Sequence, residues 1–217
     1  MIISHSKKFI FIHIYKTAGT SISYPLLPYA RFIEKISLYY PTSILVKIIN
    51  HLFNLNDMGN KWLTGLHKHA TVKDLQKYLD NKTFEEYFKF AFVRHPMDWQ
   101  VSLYEYIKSN IHKDNKYVKK ITFKEFVFRE IKNKSPLQVD FLMDDDDFKV
   151  DKIFKFENIN TDLKKLFRIL NIPLKKNGIK HLNKSPRINN FYHYYDDELE
   201  KVVRDYYSKD FQFLGYD

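Results

Sequence analysis

The chain has no cysteine, and its 217 residues include only five glycines and seven prolines. The lack of cysteine excludes a disulfide framework, a thiolate nucleophile and a zinc-finger pattern. Because no Pro/Gly/Ser-rich linker divides the chain, residues 1–217 are predicted to form a single domain.

Long uninterrupted hydrophobic runs are also missing. The segment 26–55 is apolar, but it contains Arg31, Glu34, Lys35 and Lys47. These charges interrupt the segment well before the ~18 apolar residues that a transmembrane helix needs. No membrane span is therefore predicted.

The charge balance is basic, with 36 Lys and Arg against 26 Asp and Glu, for a net charge of +10. This excess favours anionic partners, and nucleic acid, anionic lipid and sulfated or phosphorylated small molecules all remain open. A hydrophobic content of 44% and an aromatic content of 17% are enough to bury a core, which excludes a disordered chain.

The hydrophobic pattern predicts an α/β fold. Short strand-like runs at 9–14, 88–93 and 153–156 are each followed by a helix-compatible stretch. Such alternation indicates a parallel β-sheet flanked by helices, with ligands at the carboxyl ends of the strands.

Helical periodicity marks three further segments. They are built on Ile44, Ile48 and Leu52, on Leu163, Leu166, Phe167 and Leu170, and on Leu199, Val202, Val203 and Tyr206. In the second of these, Thr161 is the predicted N-cap and Pro173 the predicted stop. The acidic run Asp144–Asp147 is interpreted as a solvated loop rather than a metal site, since consecutive carboxylates do not converge on one ion.

The sequence FIHIYKTAGTSISY, residues 11–24, joins the first strand to a helix through small residues. A strand, a small-residue loop and a helix start are typical of sites that bind phosphate-like anions. Lys16 precedes Gly19, however, whereas an ATP-type P-loop has Gly-Lys-Ser/Thr. The loop is therefore predicted to bind a different anion.

The sequence FKFAFVRHPMDWQVSLYEY, residues 88–106, forms the second candidate element. Arg94 follows the strand, and Ser102 lies about two turns into the next helix. A guanidinium and a hydroxyl can bind one phosphate together. Taken alone, this pairing is weak evidence, because a strand-end arginine that only pairs with a carboxylate fits the pattern equally well.

Together the two motifs closely resemble the sulfotransferases that use 3′-phosphoadenosine 5′-phosphosulfate (PAPS), in particular the carbohydrate sulfotransferase branch, similar to sulfotransferase family 2. The first is similar to the 5′-phosphosulfate loop of that family, and the second to its 3′-phosphate-binding segment. Shorter matches follow in the expected order: HKHAT (67–71), LQVDFL (137–142), IFKFENI (153–159), HLNKS (181–185) and FLGY at the end. The resemblance implies the P-loop-like sulfotransferase fold over most of the chain.

The resemblance also implies a donor site for PAPS, with adenosine 3′,5′-bisphosphate (PAP) as product and no required metal. Lys16 would contact the bridging oxygen between phosphate and sulfate. The loop residues Thr17, Ala18, Gly19, Thr20 and Ser21 would bind the 5′-phosphosulfate, with Thr20 and Ser21 on the 5′-phosphate. Arg94 and Ser102 would bind the 3′-phosphate, and Lys184 and Ser185 would close over the adenine or the 3′-phosphate.

Three positions depart from the family pattern. Tyr15 replaces a usual proline, His95 replaces asparagine, and Trp99 stands where many members have a basic residue. The last change removes one expected charge contact near the nucleotide. None of the three alters the lysine or the arginine.

Sulfuryl transfer needs a base for the acceptor hydroxyl, and LHKHAT offers two histidines. The resemblance favours His69 as the catalytic base, with His67 as second choice or helper, and Lys16 as the group that stabilises the leaving bisphosphate. A structural pair of histidines and half of a metal site are the alternatives.

Two other classes of function remain as alternatives: a P-loop-type kinase or NTPase, and a non-enzymatic protein that binds polyanions or membranes. A PAPS-binding protein without catalysis is a third. The resemblance implies a hydroxyl acceptor on a glycan, glycolipid or polysaccharide, shaped by the variable segment 29–63, and no nucleic acid partner. Without a predicted span or cysteine, we expect a cytoplasmic protein, either unattached or peripheral at a membrane. The sequence does not indicate the oligomeric state.

Overall fold

The computed structural model describes residues 1–31, 65–109, 114–173 and 190–217. In chain order its strands are β1 (Ile2–Ser4), β2 (Phe9–Ile12), β3 (Phe88–Val93), β4 (Met143–Asp144), β5 (Asp147–Phe148) and β6 (Lys152–Lys155). Its α-helices are α1 (Gly19–Leu26), α2 (Val72–Tyr78), α3 (Asn81–Glu86), α4 (Pro96–Ser109), α5 (Asn115–Val118), α6 (Phe123–Lys132), α7 (Ile159–Ile169), α8 (Asp197–Tyr206) and α9 (Ser208–Leu214).

The described chain divides into two compact units. The first takes its residues from Met1–Phe92 and Phe141–Lys180, and the second from Val93–Asp140 and His181–Asp217. The single domain predicted for residues 1–217 stays a prediction. The first unit carries the sheet and the second is mainly helical.

The sheet of the first unit has the strand order β1-β2-β3-β6. β2 and β3 are parallel, with Phe11 opposite Phe90, whereas β1 is antiparallel to β2, with Ile3 opposite Ile10. The predicted α/β class with a mostly parallel sheet is thus confirmed, and the antiparallel edge strand is an addition to it.

Side chains on one face of the sheet build a phenylalanine-rich core. Because successive strand residues point to opposite faces, Phe9 and Phe11 share a face, as do Phe90 and Phe92. Phe11 stacks on Phe90 with ring centroids 5.3 Å apart, and α1 and α7 cover this face. The covering side chains include Ile22, Leu26, Leu163, Leu166 and Phe167.

The predicted N-cap of α7 is wrong. The helix begins at Ile159 after Asn158, and Thr161 lies in its first turn, where its hydroxyl donates to the Asn158 carbonyl oxygen at 2.8 Å. A 3₁₀ turn over Phe156–Asn158 leads directly into the helix and brings the buried Ile159 against the core. The helix ends at Ile169, before Pro173 as predicted.

The acidic run forms the turn of a hairpin. β4 and β5 are antiparallel, with Asp144 opposite Asp147. Asp145 and Asp146 both have positive φ angles, of 49° and 62°, which fits the two-residue turn that tight hairpins prefer. Both residues are exposed. Aspartate suits these two positions because it tolerates the left-handed backbone region better than most residues do.

In the second unit, aromatic residues hold the helices together. Trp99 of α4 is fully buried and lies edge-on to Tyr207 at 6.2 Å, between α8 and α9. Tyr104, also on α4, contacts Phe123 and Phe126 of α6 at 5.4 and 5.3 Å. The α8 periodicity is confirmed, since its buried residues are Leu199 and Val203.

Within the described ranges, no helix is both long enough and apolar enough to cross a membrane. The helix predicted around Ile44, Ile48 and Leu52 lies outside the described residues, as does most of the segment 29–63.

Candidate functional site

The loop between β2 and α1 is built on an unusual backbone. Lys16 and Ala18 have φ angles of 63° and 62°, in the left-handed region that residues other than glycine seldom adopt. The buried Thr17 between them closes the turn, because its hydroxyl donates to the Ile14 carbonyl oxygen at 2.8 Å. The strained turn delivers the chain into α1, whose first N–H groups have no acceptor within the helix. The loop therefore presents backbone donors of the kind that bind phosphate.

The side chains predicted to bind the donor differ in exposure along this loop. Thr20 is exposed, Lys16 and Ala18 are half-buried, and Gly19 and Ser21 are buried. The Thr17 hydroxyl is already used within the loop, so only its backbone N–H is left to serve the predicted role. The assignment of the 5′-phosphosulfate to this loop stays a prediction.

Gly19 lies directly beneath the imidazole of His13. A Cβ built on Gly19 would come within 1.7 Å of His13 Nε2 and 1.9 Å of His13 Cδ2. The ring is held in this place by stacking on Phe11, with centroids 5.7 Å apart. Glycine suits this position because the His13 ring occupies the space of a side chain, so a Cβ here would force the ring or the loop to shift.

His13 also orients His69. The Nδ1 atom of His69 lies 2.7 Å from the His13 carbonyl oxygen, and the two rings meet edge-on with centroids 4.7 Å apart. Since a carbonyl oxygen only accepts hydrogen bonds, His69 Nδ1 carries the proton and donates it. Nε2 is then the unprotonated nitrogen, and neutral His69 is able to accept a proton there.

Burial is the main cause that lowers the pKa of His69 to about 3, and the nearby positive charge of Lys68 lowers it further, while the hydrogen bond to His13 acts in the opposite direction. Burial likewise holds the pKa of His13 well below its usual range. Both imidazoles are therefore neutral at physiological pH, which is the state that a general base needs before it reacts.

The other residues of the HKHAT motif have more local contacts. His67 is exposed, and its Nδ1 accepts a hydrogen bond from the His69 backbone N–H at 3.1 Å. Thr71 caps α2 in a capping box with Asp74. Tyr15, the residue at the usual proline position, lies edge-on to His69 at 5.8 Å and to Phe141 at 5.9 Å. The motif thus places His69, rather than His67, in an aromatic and partly buried setting.

In the second unit, Arg94 directly follows β3, and its guanidinium is held by a carboxylate. Its Nε donates to Asp98 Oδ2 at 2.6 Å, and both side chains are buried. The negative charge of Asp98 also acts on Tyr195. Burial, and after it this charge, raises the pKa of the Tyr195 hydroxyl well above its usual value. Asp98 sits in the first turn of α4, where a helix N-terminus favours negative charge. This ion pair fixes the plane of the guanidinium.

The backbone of Arg94 is held by a second side chain. Gln138 Oε1 accepts from the Arg94 backbone N–H at 2.8 Å, and Gln138 Nε2 donates to the Arg94 carbonyl oxygen at 2.7 Å. One buried amide thereby satisfies both polar groups of one peptide residue, 44 positions away in sequence.

Asp210 of α9 is fully buried in the same region. Its two carboxylate oxygens accept the backbone N–H groups of Gln138 at 3.0 Å and Val139 at 2.9 Å. Burial raises the pKa of Asp210 to about 7, although these two hydrogen bonds act to lower it.

The remaining predicted residues of this segment are packed into the second unit. Ser102 is buried on α4, two turns beyond Arg94. Trp99 is a core residue, which explains why a basic side chain is absent at its position. The His95 ring is surrounded by the rings of Phe191, Tyr192, Phe211 and Tyr216. Lys184 and Ser185 lie outside the described residues.

Three residues with contacts to the candidate site residues were given no role from the sequence: His13, Gln138 and Asp210. His13 carried a weak signal, as a polar residue that interrupts an apolar strand end. Asp210 gives no local signal, because its partners lie more than 70 residues away. In the described part of the chain, no group of three or more His, Cys, Asp or Glu residues is arranged to hold a metal, so the two HKHAT histidines have no third ligand there.

Comparison with known proteins supports the family resemblance of the loops that carry Lys16 and Arg94. The family model described as "Sulfotransferase family" matches residues 1–217. Neither the curated proteins nor the solved structures contain a significant match to the chain. The family match spans the strand-end loops that carry Lys16 and Arg94 and both units of the structure, and we conclude that this chain belongs to the sulfotransferase family, whose members are transferases that use PAPS as donor.

Proposed function

We propose that the protein transfers the sulfuryl group of PAPS to a hydroxyl of a carbohydrate or glycoconjugate acceptor. The observation that carries this proposal is the arrangement around His13 in the first unit. Its carbonyl oxygen orients His69 as a proton acceptor, and its ring packs on Gly19 of the anion-binding loop. His13 thereby contacts both the proposed base and the proposed anion-binding loop.

Each loop is assigned one end of the donor. Residues 17–21 bind the 5′-phosphosulfate through backbone N–H groups, with Thr20 and Ser21 at the phosphate and Lys16 at the bridging oxygen. Arg94 and Ser102 bind the 3′-phosphate, the group that distinguishes PAPS from ATP-type donors. Lys184 and Ser185 remain predicted contacts to the adenine or 3′-phosphate.

The proposed reaction is an in-line displacement at sulfur. His69 Nε2 takes the proton of the acceptor hydroxyl, the acceptor oxygen forms the new bond to sulfur, and the bond from sulfur to the bridging oxygen breaks. Negative charge develops on that oxygen as PAP leaves, and Lys16 stabilises it. The negative charge of a bound donor favours the protonated form of a nearby imidazole, so donor binding should raise the pKa of His69 and make it a stronger base.

The proposal is tested by incubating the protein with radiolabelled PAPS and a panel of glycans, glycolipids and polysaccharides. We expect the label to pass to one class of hydroxyl acceptor without added metal. ATP labelled on its γ-phosphate is the control donor and should transfer nothing. Transfer from ATP in the presence of Mg²⁺, with none from PAPS, would instead support the kinase reading. A cytoplasmic location stays a prediction.

A further inference from the structure

The side-chain amide of Gln138 is bonded to the backbone of Arg94, the residue that follows β3. Gln138 is fully buried, with 0% of its surface exposed, and its side chain uses both an acceptor and a donor on the peptide groups of Arg94. The two distances, 2.8 and 2.7 Å, are those of well-formed hydrogen bonds. The amide therefore satisfies both backbone polar groups of Arg94, the residue that follows β3.

The amide is itself held in position. Asp210 accepts the backbone N–H groups of Gln138 and Val139, one on each carboxylate oxygen, at 3.0 and 2.9 Å. Asp210 has 0% of its surface exposed, and it belongs to α9. A continuous set of hydrogen bonds thus runs from α9 through Gln138 to the Arg94 backbone.

Arg94 consequently has two separate supports. Asp98 sets the direction of the guanidinium through Nε, while Gln138 sets the position of the backbone from which the side chain starts. Recognition of a phosphate by the guanidinium fork depends on both, because the fork is rigid and an offset of its origin moves every donor. Supports of this kind decide how well a site is organised before its ligand arrives.

We propose that Gln138 is a positioning residue for recognition of the donor's 3′-phosphate, with Asp210 as its own support. Gln138 acts through Arg94 and not by contact with the donor. This inference rests on the proposed function, in which Arg94 binds the 3′-phosphate.

The experiment compares the dissociation constants of PAP and 5′-AMP, two nucleotides that differ by the 3′-phosphate. In Gln138→Leu the affinity for PAP should fall about tenfold, while the affinity for 5′-AMP stays as in the wild type. A side chain that only supports the fold would weaken both ligands alike. In the Arg94→Ala background, Gln138→Leu should leave the ratio of the two affinities unchanged, because its effect is transmitted by Arg94.

Gln100→Leu is the matched control. Gln100 is a second buried glutamine in the same unit, and its Oε1 makes no hydrogen bond to the described residues. This variant should keep the wild-type ratio of PAP to 5′-AMP affinity. Gln138→Glu, which keeps an acceptor for the Arg94 N–H but loses the donor to its carbonyl oxygen, gives a second test if the leucine variant fails to fold.

The possible outcomes separate the inference from the proposed function. If the wild type binds PAP no better than 5′-AMP, the assignment of Arg94 to the 3′-phosphate fails, and the role of Gln138 fails with it. If the wild type prefers PAP and folded Gln138 variants keep that preference in full, only the positioning role is overturned. A preference lost in the Gln138 variants and kept in Gln100→Leu supports it.

Discussion

The two loops occupy equivalent places in the fold, yet they are built in opposite ways. Each follows a parallel strand, β2 or β3, and each leads into a helix, α1 or α4. The first relies on backbone: two residues with positive φ, a threonine that closes the turn, and a glycine under a neutral imidazole. The second relies on side chains: an arginine held by Asp98 and Gln138.

This difference predicts which changes each loop tolerates. Binding through backbone N–H groups should tolerate many side-chain changes, but it should weaken when an added Cβ, such as one at Gly19, displaces the turn. A guanidinium, in contrast, depends on the groups that orient it. In the proposed function, the neutral histidines of the first unit serve proton transfer and the ion pair of the second serves charge recognition.

The largest effect is expected at His69, the proposed base. His69→Ala should lower the turnover number for sulfuryl transfer by about 10² to 10⁴-fold, because a general base contributes that much, and should leave PAP affinity nearly unchanged. His67→Ala is the control and should lose less, since its Nδ1 is bonded to the His69 N–H. Steady-state kinetics with the identified acceptor measures both. Near-normal turnover in folded His69→Ala would remove it from the mechanism.

A smaller effect is expected from a single methyl group at Gly19. In Gly19→Ala the new Cβ meets the His13 ring, and overpacking of this size should weaken PAP and 5′-AMP binding together, by roughly tenfold. This contrasts with Gln138→Leu, which should alter only the preference for PAP. Titration calorimetry gives both constants.

The double variant His13→Ala with Gly19→Ala provides the control, since it removes the obstructing ring and keeps the His13 carbonyl oxygen that holds His69. It should recover most of the 5′-AMP affinity. If Gly19→Ala alone binds both nucleotides as tightly as the wild type, the packed imidazole is not what shapes this loop.

Another effect concerns stability, in which His69 of the first unit and Asp210 of the second should respond to pH with opposite signs. The pKa of folded His69 is about 3, below its ordinary value of 6.5, so the unfolded chain binds the proton first as pH falls. Relative to His69→Gln, the wild type should lose free energy of unfolding as pH drops from 6.5 toward 3, by at most about 1.4 kcal/mol per pH unit.

Asp210 should act in the other direction. Its folded pKa of about 7 exceeds its ordinary value of 3.8, so its contribution to stability is complete below pH 3.8 and is lost as pH rises through 7. Relative to Asp210→Asn, the wild type should therefore weaken across that range. Urea titrations at a series of pH values measure both differences. Parallel pH curves for the wild type and either variant would show that the corresponding pKa is not shifted.

Secondary structure could be predicted from the sequence where a local hydrophobic pattern determines it. The apolar run 88–93 matches β3, and the periodicity at Leu199 and Val203 matches α8. The strand-end positions of Lys16 and Arg94 follow from the same patterns. The family resemblance is confirmed over residues 1–217.

Contacts between distant segments were not predictable in this way. The amide of Gln138 reaches Arg94 across 44 positions, and Asp210 reaches Gln138 across 72, distances over which periodicity carries no information. The contact of His13 with Gly19 depends on a ring orientation set by Phe11. Thr161 was misassigned because the preceding 3₁₀ turn starts the helix earlier than its capping chemistry indicates.

The most direct test of the account is calorimetric binding of PAP and 5′-AMP to the wild type and Arg94→Ala in metal-free buffer. The account predicts that the wild type binds PAP about 100-fold more tightly than 5′-AMP, because charge-assisted hydrogen bonds to the 3′-phosphate are strong, and that Arg94→Ala abolishes the difference. Equal affinity of the wild type for the two nucleotides, or an undiminished preference in the variant, would contradict it.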